Sequence, residues 1–342
     1  MNEVLRAPVN GPSAWKAQNF ENNQSWIREF TPEELDELHD ATLALKATGK
    51  GPEEFGPDDF PLPTFSRAVA EIHNERAEGR GFVLLRGIDV ERYDQETLEL
   101  MFWALQSHLG MIISQNSQGD MLGYVTDRAE NYELGKHYES NIRGHRTRSH
   151  INPHTDTCDV VGLLCVRLAK SGGASTICSS MAIYNECQSQ HPEFIKPLTN
   201  GFHFDLIGKG SKEIEYTETR IPVFSFHQGY LSCRFNKRQI KLGMQRSGKG
   251  LTDLEQAAIG YVRELSVRED FLLHMDFRPG DIQLLNNHVA LHARNEYEDW
   301  SEAERNRLLL RVWINVPNGR PLAPNFANRL NSGDRGGVPK RA

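Results

Sequence analysis

The stretch NPHTDTCDVVGLLCVRLAKSGGAST, residues 152–176, decides the fold, because a His-Thr-Asp triplet in it runs directly into an apolar segment. On an extended backbone successive side chains alternate between faces, so His154 and Asp156 point one way and Thr155 points the other. The apolar run that follows is typical of a strand buried on both faces. One imidazole and one carboxylate on a shared face are half of a metal site, which needs a third ligand from a distant strand.

The third ligand is predicted to be a histidine from GDIQLLNNHVALHARNEYEDW, residues 280–300. We choose His292 because a strand carrying two arginines follows it at a fitting distance. His150 and His288 are rival ligands, since each lies near a chosen ligand but lacks the matching register. A lone His-x-Asp triplet is weak evidence, because most histidines are surface or satisfied core residues. The metal interpretation depends on order, spacing and strand phase agreeing.

The arginine-bearing strand is RLLLRVWINV, residues 307–316. Alternation predicts a dry face made of Leu308, Leu310, Val312, Ile314 and Val316. The other face carries Arg307, Leu309, Arg311, Trp313 and Asn315. Four strand residues separate the two arginines by roughly 13 Å. One guanidinium is therefore placed to bind a carboxylate near the metal, while the other reaches a second ligand. The plain alternative for each is a solvated or salt-bridged strand arginine.

With these motifs the sequence resembles the TauD/TfdA branch (taurine dioxygenase and clavaminate synthase-like proteins) of the Fe(II)/2-oxoglutarate-dependent oxygenases, over about residues 81–313. That family combines His-x-Asp/Glu, a Gly-Gly segment with a hydroxyl residue, a distal His, and an Arg followed four residues later by another. The resemblance implies a double-stranded β-helix, the jelly-roll or cupin-like fold. It also implies Fe(II), 2-oxoglutarate and dioxygen as cofactor and cosubstrates.

The resemblance makes His154, Asp156 and His292 the catalytic iron ligands. Three ligands on one face leave positions for the keto and carboxylate oxygens of 2-oxoglutarate and for dioxygen. The implied reaction releases succinate and CO2 and oxidises a substrate C–H bond, usually by hydroxylation, with desaturation or cyclisation as alternatives. Related halogenases replace the carboxylate by a small residue, so Asp156 argues against halogenation. Nickel, cobalt and zinc bind the same donors, so the ligand set alone does not prove iron.

The same resemblance implies cosubstrate and substrate contacts. Arg307 matches the arginine that binds the distal carboxylate of 2-oxoglutarate. Ser175, in GGAS, stands where a Thr commonly helps, and the neighbouring Thr176 leaves that assignment open by one residue. Arg311 matches a position that in several members contacts an anionic group of the primary substrate. A small amino-acid-like or organic acid is therefore the expected substrate, held by a bidentate contact to a carboxylate, sulfonate or phosphonate.

Two other classes stay open at this point. A zinc-dependent hydrolase would use a His/Asp/His set around a bound water and would need no carboxylate-binding arginine. A non-catalytic binding module of the same architecture would tolerate loss of a ligand or of the arginine, whereas here the whole set is present. The sequence favours the oxygenase.

Weaker substrate-contact candidates are Gln115, Asn116, Arg234 and, from the tail, Arg320. Gln115 and Asn116 open a largely polar stretch, residues 111–149, that also holds polar and aromatic side chains including Asp127, Tyr132, His137, Tyr138, Arg143 and Arg146. Long loops inside a compact domain are functional or disordered. This stretch is therefore interpreted as a lid over the metal.

The composition excludes several classes. A net charge of −7 without a basic patch argues against nucleic-acid binding. The sequence has no run of 18 apolar residues and no signal-peptide pattern, so a cytoplasmic protein without membrane partners is expected. Five cysteines, an odd number without paired spacing, indicate a reducing compartment, and Cys165 and Cys178 are expected in the core. The partner is a small molecule, and a homo-oligomer remains open.

The chain is predicted to be one α+β domain, mainly β, over residues 1–342, with helices around the jelly-roll core. Residues 1–30 are expected to form an irregular arm, 81–316 the core and 318–342 a flexible tail. A helix capped by Thr31, with Pro32 and Glu34 completing a capping box, precedes the core. Further helices are predicted after Asp94 and Thr252 and over residues 64–78 and 181–194. Residues 202–218 are expected to form a mobile loop.

Overall fold

The apolar run after the His-Thr-Asp triplet forms an eight-residue strand inside the larger of two main sheets. The computed structural model describes residues 4–128, 144–209 and 214–340. The strands in these ranges are β1 Ile27–Glu29, β2 Phe82–Arg86, β3 Met111–Ile113, β4 Leu122–Val125, β5 Ile151–His154, β6 Val160–Arg167, β7 Ser171–Gly172, β8 Ser175–Ser179, β9 Phe224–His227, β10 Tyr230–Cys233, β11 Leu272–Met275, β12 Ile282–Asn286, β13 Ala290–Arg294, β14 Tyr297–Glu298 and β15 Leu308–Asn315. The α-helices are α1 Pro32–Ala47, α2 Ser66–Ala77, α3 Gln95–Ser107, α4 Ser180–Gln190, α5 Ile195–Asn200, α6 Lys237–Arg246, α7 Asp253–Leu265 and α8 Pro324–Ala327.

The larger sheet has the strand order β1-β2-β12-β6-β15-β3, and β4 also pairs with β15. β1 and β2 run parallel, whereas β15 pairs antiparallel with β6, β3 and β4. The alternation predicted for β15 is present. Leu308, Leu310, Val312 and Ile314 pack into the cluster that contains the apolar faces of α1, α2 and α3. This phase turns Arg307 and Arg311 away from those helices and into a cavity.

The smaller sheet has the order β11-β8-β13-β5 and is antiparallel throughout. Its inner side chains Ile177 and Met275 share one buried cluster with Phe82 and Leu309 of the larger sheet. Its other side, represented by Leu291, packs on helices α4, α5 and α7. The architecture is therefore mixed α/β, with apolar side chains from two sheets meeting and helices covering their other faces. A site between the sheets is shielded on both sides.

The predicted helix starts are confirmed where a capping side chain is present. Thr31 and Thr252 each accept the amide of the residue three positions on and complete a capping box, and Asp94 accepts the Thr97 amide. Helix α6, capped by Asn236, was not predicted, because its sequence KRQIKLGMQR is dominated by polar residues. Its apolar positions are few but buried.

The N-terminal segment departs from the predicted irregular arm. Ile27–Glu29 forms β1 and pairs with β2. Trp15 and Trp26 are buried, and their ring centroids lie 5.3 and 6.0 Å from that of Phe82. Burial of these two indoles stabilises a segment whose sequence shows little periodicity.

The tail also departs from prediction over its described part, which ends at residue 340. Phe326 and Val338 are buried, and Arg335 forms an ion pair with the buried carboxylate of Asp159. Apolar anchors and a long-range ion pair therefore hold a segment that is rich in Arg, Asn and Gly. The sequence pattern alone does not reveal such distant partners.

Residues 202–218 were expected to form a mobile loop, which is wrong for their described part. Phe202 bridges to Ile221, and Asp205 bridges to Tyr216. Phe202 is fully buried against the helices behind the smaller sheet. This mainly polar segment is therefore held in place by a buried aromatic side chain.

Candidate metal centre

The His-Thr-Asp triplet and the distal histidine meet on the smaller sheet. His154 at the end of β5 and His292 in β13 are direct register partners of an antiparallel pair, and their ring centroids lie 4.3 Å apart. Nε2 of His154 lies 3.8 Å from Oδ1 of Asp156, and Nε2 of His292 lies 3.7 Å from Oδ2. The three donor atoms lie within 4.8 Å of one another, so these residues can hold one metal ion.

The protonation states of the cluster suit a metal. Burial opposes the charge of Asp156, but its neighbours Arg311, His292, His154 and Lys209, with Arg311 the largest contributor, together outweigh burial and hold the pKa of the carboxyl well below its usual range. Burial lowers the pKa of His292 to about 3, so its imidazole is neutral at pH 7. Nδ1 of His154 lies 2.9 Å from the carbonyl oxygen of Asn152, which places a proton on Nδ1 and leaves Nε2 as the nitrogen that binds a metal. An ionised carboxylate and neutral imidazoles are the forms that bind metal.

Arg307 lies in the same cavity, which has a volume of about 950 Å³. Its side chain is buried, and Nη2 donates a long hydrogen bond of 3.5 Å to the carbonyl oxygen of Gly173. Nη1 is buried without a hydrogen-bond partner among the described residues. Ser175 also lines the cavity, whereas Thr176, the next residue along β8, does not. A buried, incompletely satisfied guanidinium beside a hydroxyl fits the carboxylate of a dicarboxylic acid.

Arg311 is held in place beside the metal cluster. Its Nε donates to Oε1 of Gln115 at 2.7 Å, and its Nη1 lies 3.7 Å from Oδ2 of Asp156. The amide nitrogen of Gln115 is itself occupied by the carbonyl oxygens of Met121 and Arg311. Gln115, predicted as a substrate contact, therefore acts on Arg311 and is almost fully buried.

Three other predicted contacts lie elsewhere or have other partners. Arg234 is buried over the Phe204 ring, donates to the carbonyl oxygen of Arg329 and does not line the cavity. Arg320 donates to Leu231 and Ser232 and is likewise absent from the cavity wall. Asn116 does line the cavity, but its side chain caps the turn formed by residues 116–120. The sequence alone could not show which of these side chains reach the cavity, because that depends on tertiary packing.

The rival histidines are placed apart from the cluster. His288 is buried and donates to Asp159, and His150 lines the cavity without belonging to the three-residue group. Of the predicted lid, residues 129–143 lie outside the described residues, including Tyr132, His137, Tyr138 and Arg143. Arg128 and Arg146, on either side of that gap, line the cavity.

Several residues of the site were not predicted from the sequence to be site residues. Nε1 of Trp313 donates to Oδ2 of Asp156 at 3.0 Å, and the ammonium of Lys209 lies 4.2 Å from the Trp313 ring centroid. Arg294 lines the cavity two residues after His292. The alternation that paired His154 with Asp156 would have found Arg294, whereas Lys209 comes from a distant segment that no spacing rule connects to the site.

The fold and the site together fit a metal protein with a three-residue facial ligand set. The chain matches the family model described as "Taurine catabolism dioxygenase TauD, TfdA family" over residues 45–313. It therefore belongs to the TauD/TfdA family.

Two relatives extend this match over nearly the whole chain. FR-33289 synthase of Streptomyces rubellomurinus (strain ATCC 31215) is 30% identical over 330 residues, covering 96% of each chain. Taurine hydroxylase-like protein SAT17 of Stachybotrys chartarum (strain CBS 109288 / IBT 7711) is 27% identical over 315 residues, which cover 90% of this chain and 80% of the relative.

Solved structures share the fold at low sequence identity. Asparagine oxygenase in complex with Fe(II), 2S,3S-3-hydroxyasparagine and succinate superposes with a TM-score of 0.65 at 13% identity, covering 84% of this chain and 93% of that one. The non-heme iron oxygenase OrfP in complex with Fe and alpha-ketoglutaric acid gives 0.58 at 14% identity, with 84% and 94% covered.

The family assignment, together with the ligand cluster, makes the chain an oxidoreductase, a dioxygenase that uses Fe(II) and 2-oxoglutarate. The hydrolase alternative is not favoured, since the matched family is one of dioxygenases. None of the helices in the described ranges has the length and apolar character that crossing a bilayer requires.

Proposed function

We propose that the protein hydroxylates an unactivated C–H bond of a small anionic or amino-acid-like substrate. The observation that carries this proposal is the guanidinium of Arg311, fixed by Gln115 and placed in the cavity beside the metal cluster. Arginine binds carboxylate, sulfonate and phosphonate groups through paired hydrogen bonds. A substrate anchored there presents its C–H bonds close to Asp156 and its metal.

The residue roles that complete this proposal rest on position and chemistry. His154, Asp156 and His292 hold the iron, Arg307 binds the distal carboxylate of 2-oxoglutarate, and Ser175 supports it. The two sheets that pack around this site form the double-stranded β-helix of the family. Support comes from the convergence of the ligand atoms, the unpartnered nitrogen of Arg307 and the cavity-facing Ser175.

The bound iron supplies oxidative decarboxylation of 2-oxoglutarate coupled to oxidation of a substrate C–H bond. The protein positions the two anionic molecules and keeps water away from their contacts. Trp313 donates to one oxygen of Asp156, which fixes that carboxylate and leaves the other oxygen unobstructed. Arg307, which directly precedes β15, and Arg311, within β15, position two anionic molecules in one cavity, so that neither molecule competes for the other's anchor. The low exposure of both arginines keeps water from weakening these contacts.

The wall of the cavity supports an anionic substrate. Besides Arg311, cationic side chains line it from several segments of a chain whose overall charge is negative: Arg128, Arg146, Lys209, Lys237, Arg238, Lys241 and Arg263. Such a concentration of positive charge attracts anions and speeds their entry. Among the similar structures, asparagine oxygenase was crystallised with a hydroxylated asparagine and OrfP with a hydroxylated arginine. Amino-acid-like acids are therefore the first substrates to test.

The first experiment is an anaerobic titration of the apoprotein with Fe(II) and 2-oxoglutarate, followed by the visible charge-transfer band of a chelated keto acid. We expect the band in the wild type, none in His154→Ala, and a much higher 2-oxoglutarate requirement in Arg307→Ala. The absence of a band in the wild type at any concentration would overturn the proposal.

The substrate anchor is tested with Arg311→Ala, compared with the exposed control Arg67→Ala. Among small acids that stimulate succinate release, mass analysis of the product identifies hydroxylation by a gain of one oxygen. Arg311→Ala should raise the KM of that substrate about 10- to 100-fold and leave the Michaelis constant of the cosubstrate nearly unchanged. Equal effects on both would contradict the assignment. A product that has lost two hydrogens would instead identify desaturation or cyclisation.

A further inference from the structure

A second buried arginine, Arg294, lies on the wall of the cosubstrate side of the cavity. It follows His292 by two residues in β13, so the two side chains project from the same face of the strand. Its cross-strand partner is Ser175 on β8. Arg294 and Arg307 stand against the same ring, with their guanidinium carbons 4.8 and 5.2 Å from the centroid of Tyr297.

The polar atoms around this ring are incompletely satisfied. Nε and Nη1 of Arg294, Nη1 of Arg307 and the hydroxyl of Tyr297 are all buried without a hydrogen-bond partner among the described residues. Leaving such groups unpaired is costly, most of all for charged ones. Two buried guanidiniums with open donors in one pocket are suited to bind an anion.

The nearest carboxylates have other partners. No carboxylate of the described residues forms an ion pair with either guanidinium. Asp127 pairs with Arg148, and Asp299 directs Oδ1 to the backbone amide of Arg307. The remaining nitrogen of Arg294, Nη2, donates to the carbonyl oxygens of Thr147 and Ser149 at 2.7 and 2.6 Å. These bonds hold the guanidinium in one orientation while its other two donors stay open.

We propose that Arg294 and Arg307 together form the receptor for the distal carboxylate of 2-oxoglutarate, with Tyr297, which does not line the cavity, packed behind them. The inference rests on the proposed function and adds Arg294 to its cosubstrate site. A carboxylate has two oxygens with about four acceptor positions, so it accepts bonds from both guanidiniums. Each contact satisfies a donor that is otherwise unpaired.

The double glycine before Ser175 is shaped for this receptor. Gly173 has a φ of +72°, and a Cβ there would lie 3.1 Å from Nε of Arg307 and 3.2 Å from Cβ of Tyr297. Only glycine combines this backbone conformation with so close an approach. The receptor is therefore expected to select for 2-oxo acids that carry a second carboxylate at the far end.

The test measures equilibrium binding of two 2-oxo acids to the Fe(II)-loaded protein without oxygen, by the charge-transfer band and by calorimetry. One is 2-oxoglutarate, and the other is 2-oxobutyrate, which chelates the metal but lacks the distal carboxylate. The variants are Arg294→Gln, Arg294→Lys and Arg307→Gln. Arg234→Gln is the matched control, because Arg234 is equally buried, also has an unpartnered nitrogen and lies outside the cavity wall.

Arg294→Gln is expected to weaken the binding of 2-oxoglutarate about 10- to 100-fold, and Arg294→Lys, which keeps the charge but loses the paired donors, about 3- to 10-fold. Both should leave the affinity for 2-oxobutyrate within about twofold of the wild-type value, and Arg234→Gln should change neither affinity. A role of Arg294 in holding residues 147–149 alone would weaken the two acids equally and would overturn the inference.

If Arg294→Gln does not fold, Arg294→Lys decides the question, since it keeps the buried positive charge and removes the planar set of donors. Unchanged 2-oxoglutarate binding in the folded variants, beside a large loss in Arg307→Gln, overturns this inference and leaves the proposed function intact. Failure of the wild type to bind either acid would instead overturn the proposed function.

Discussion

Asp156 and Asp159 are three residues apart, and each carboxylate has histidine and arginine neighbours. The two carboxylates differ in how closely those neighbours approach their oxygens. The oxygens of Asp159 are satisfied by the protein. Oδ1 accepts from His288 at 2.9 Å and lies 3.3 Å from Nη2 of Arg329, and Oδ2 accepts from Arg335 and from a backbone amide. Burial raises the pKa of its carboxyl. The hydrogen bond from His288 and the charges of Arg329 and Arg335 outweigh burial and hold that pKa far below the ordinary value.

The surroundings of Asp156 are left open by comparison. It accepts a hydrogen bond from Trp313, while His154 and His292 stop 3.8 and 3.7 Å away, beyond hydrogen-bond distance. Nδ1 of His292 and Nη1 of Arg307 are buried without described partners. The comparison teaches that residue type does not identify a functional site. Unsatisfied donors and acceptors gathered at one cavity are the better sign, because leaving them unpaired is costly and a ligand in the cavity can complete them.

The strongest way to break this comparison is to remove the charge of Asp159. Asp159→Asn leaves Arg329 and Arg335 without their counter-charge, so the free energy of unfolding of the apoprotein should fall by about 3–5 kcal/mol. Urea unfolding monitored by circular dichroism measures it. The protein that remains folded should still bind Fe(II), and a selective loss of metal binding without destabilisation would contradict the structural role of Asp159.

The converse change is His292→Gln in the metal cluster. Loss of one of three ligands should weaken Fe(II) binding by at least about 100-fold, since even outer partners of ligands contribute 10- to 100-fold. The unfolding free energy of the apoprotein should change by about 1 kcal/mol, the usual size of a single substitution. Metal content after dialysis and urea unfolding give the two quantities. His288→Gln is the control, and it should retain the metal.

The pH dependence of stability sharpens the comparison from the Asp159 side. Burial lowers the pKa of His288 to about 4 in the folded protein, against about 6.5 in the unfolded chain. Between these values the unfolded chain binds more protons, so the contribution of His288 is complete above about pH 6.5 and declines as the pH falls toward 4. The slope reaches at most about 1.4 kcal/mol per pH unit.

Urea unfolding of the apoprotein between pH 7 and 4.5 measures this slope. His288→Gln should flatten it, whereas His274→Gln, which removes an exposed histidine, should leave it unchanged. Identical slopes in the wild type and His288→Gln would show that His288 is not the titrating group.

The smallest expected effect is at Gln115, which orients Arg311. Gln115→Leu removes the acceptor for Nε of Arg311 and should raise the KM of the primary substrate about 2- to 10-fold, the range of a neutral hydrogen bond. The affinity for 2-oxoglutarate should not change. Steady-state kinetics and anaerobic titration supply the two values, and a larger effect on 2-oxoglutarate would show that Arg311 serves the cosubstrate.

Local patterns predicted the parts of the site that lie close together in the chain. Alternation placed His154 with Asp156 and Arg307 with Arg311, and capping residues located the starts of α1, α3 and α7. The same rules did not predict strand β1 or the packing of the described tail, which depends on a buried aromatic residue and on an ion pair with a residue far along the chain. Arg234 and Arg320 resembled Arg311 in the sequence but point to backbone carbonyls elsewhere.

The sequence by itself determined the ligand types, their order and the faces of the strands that carry them, because strand periodicity is a local property of the backbone. Only the tertiary structure decided that His292 faces His154, that Gln115 serves Arg311, and that Arg294 and Arg307 share the ring of Tyr297. These relations depend on sheet register and on the packing of one sheet against another. Both are set by the total burial of the chain and not by any single stretch of it.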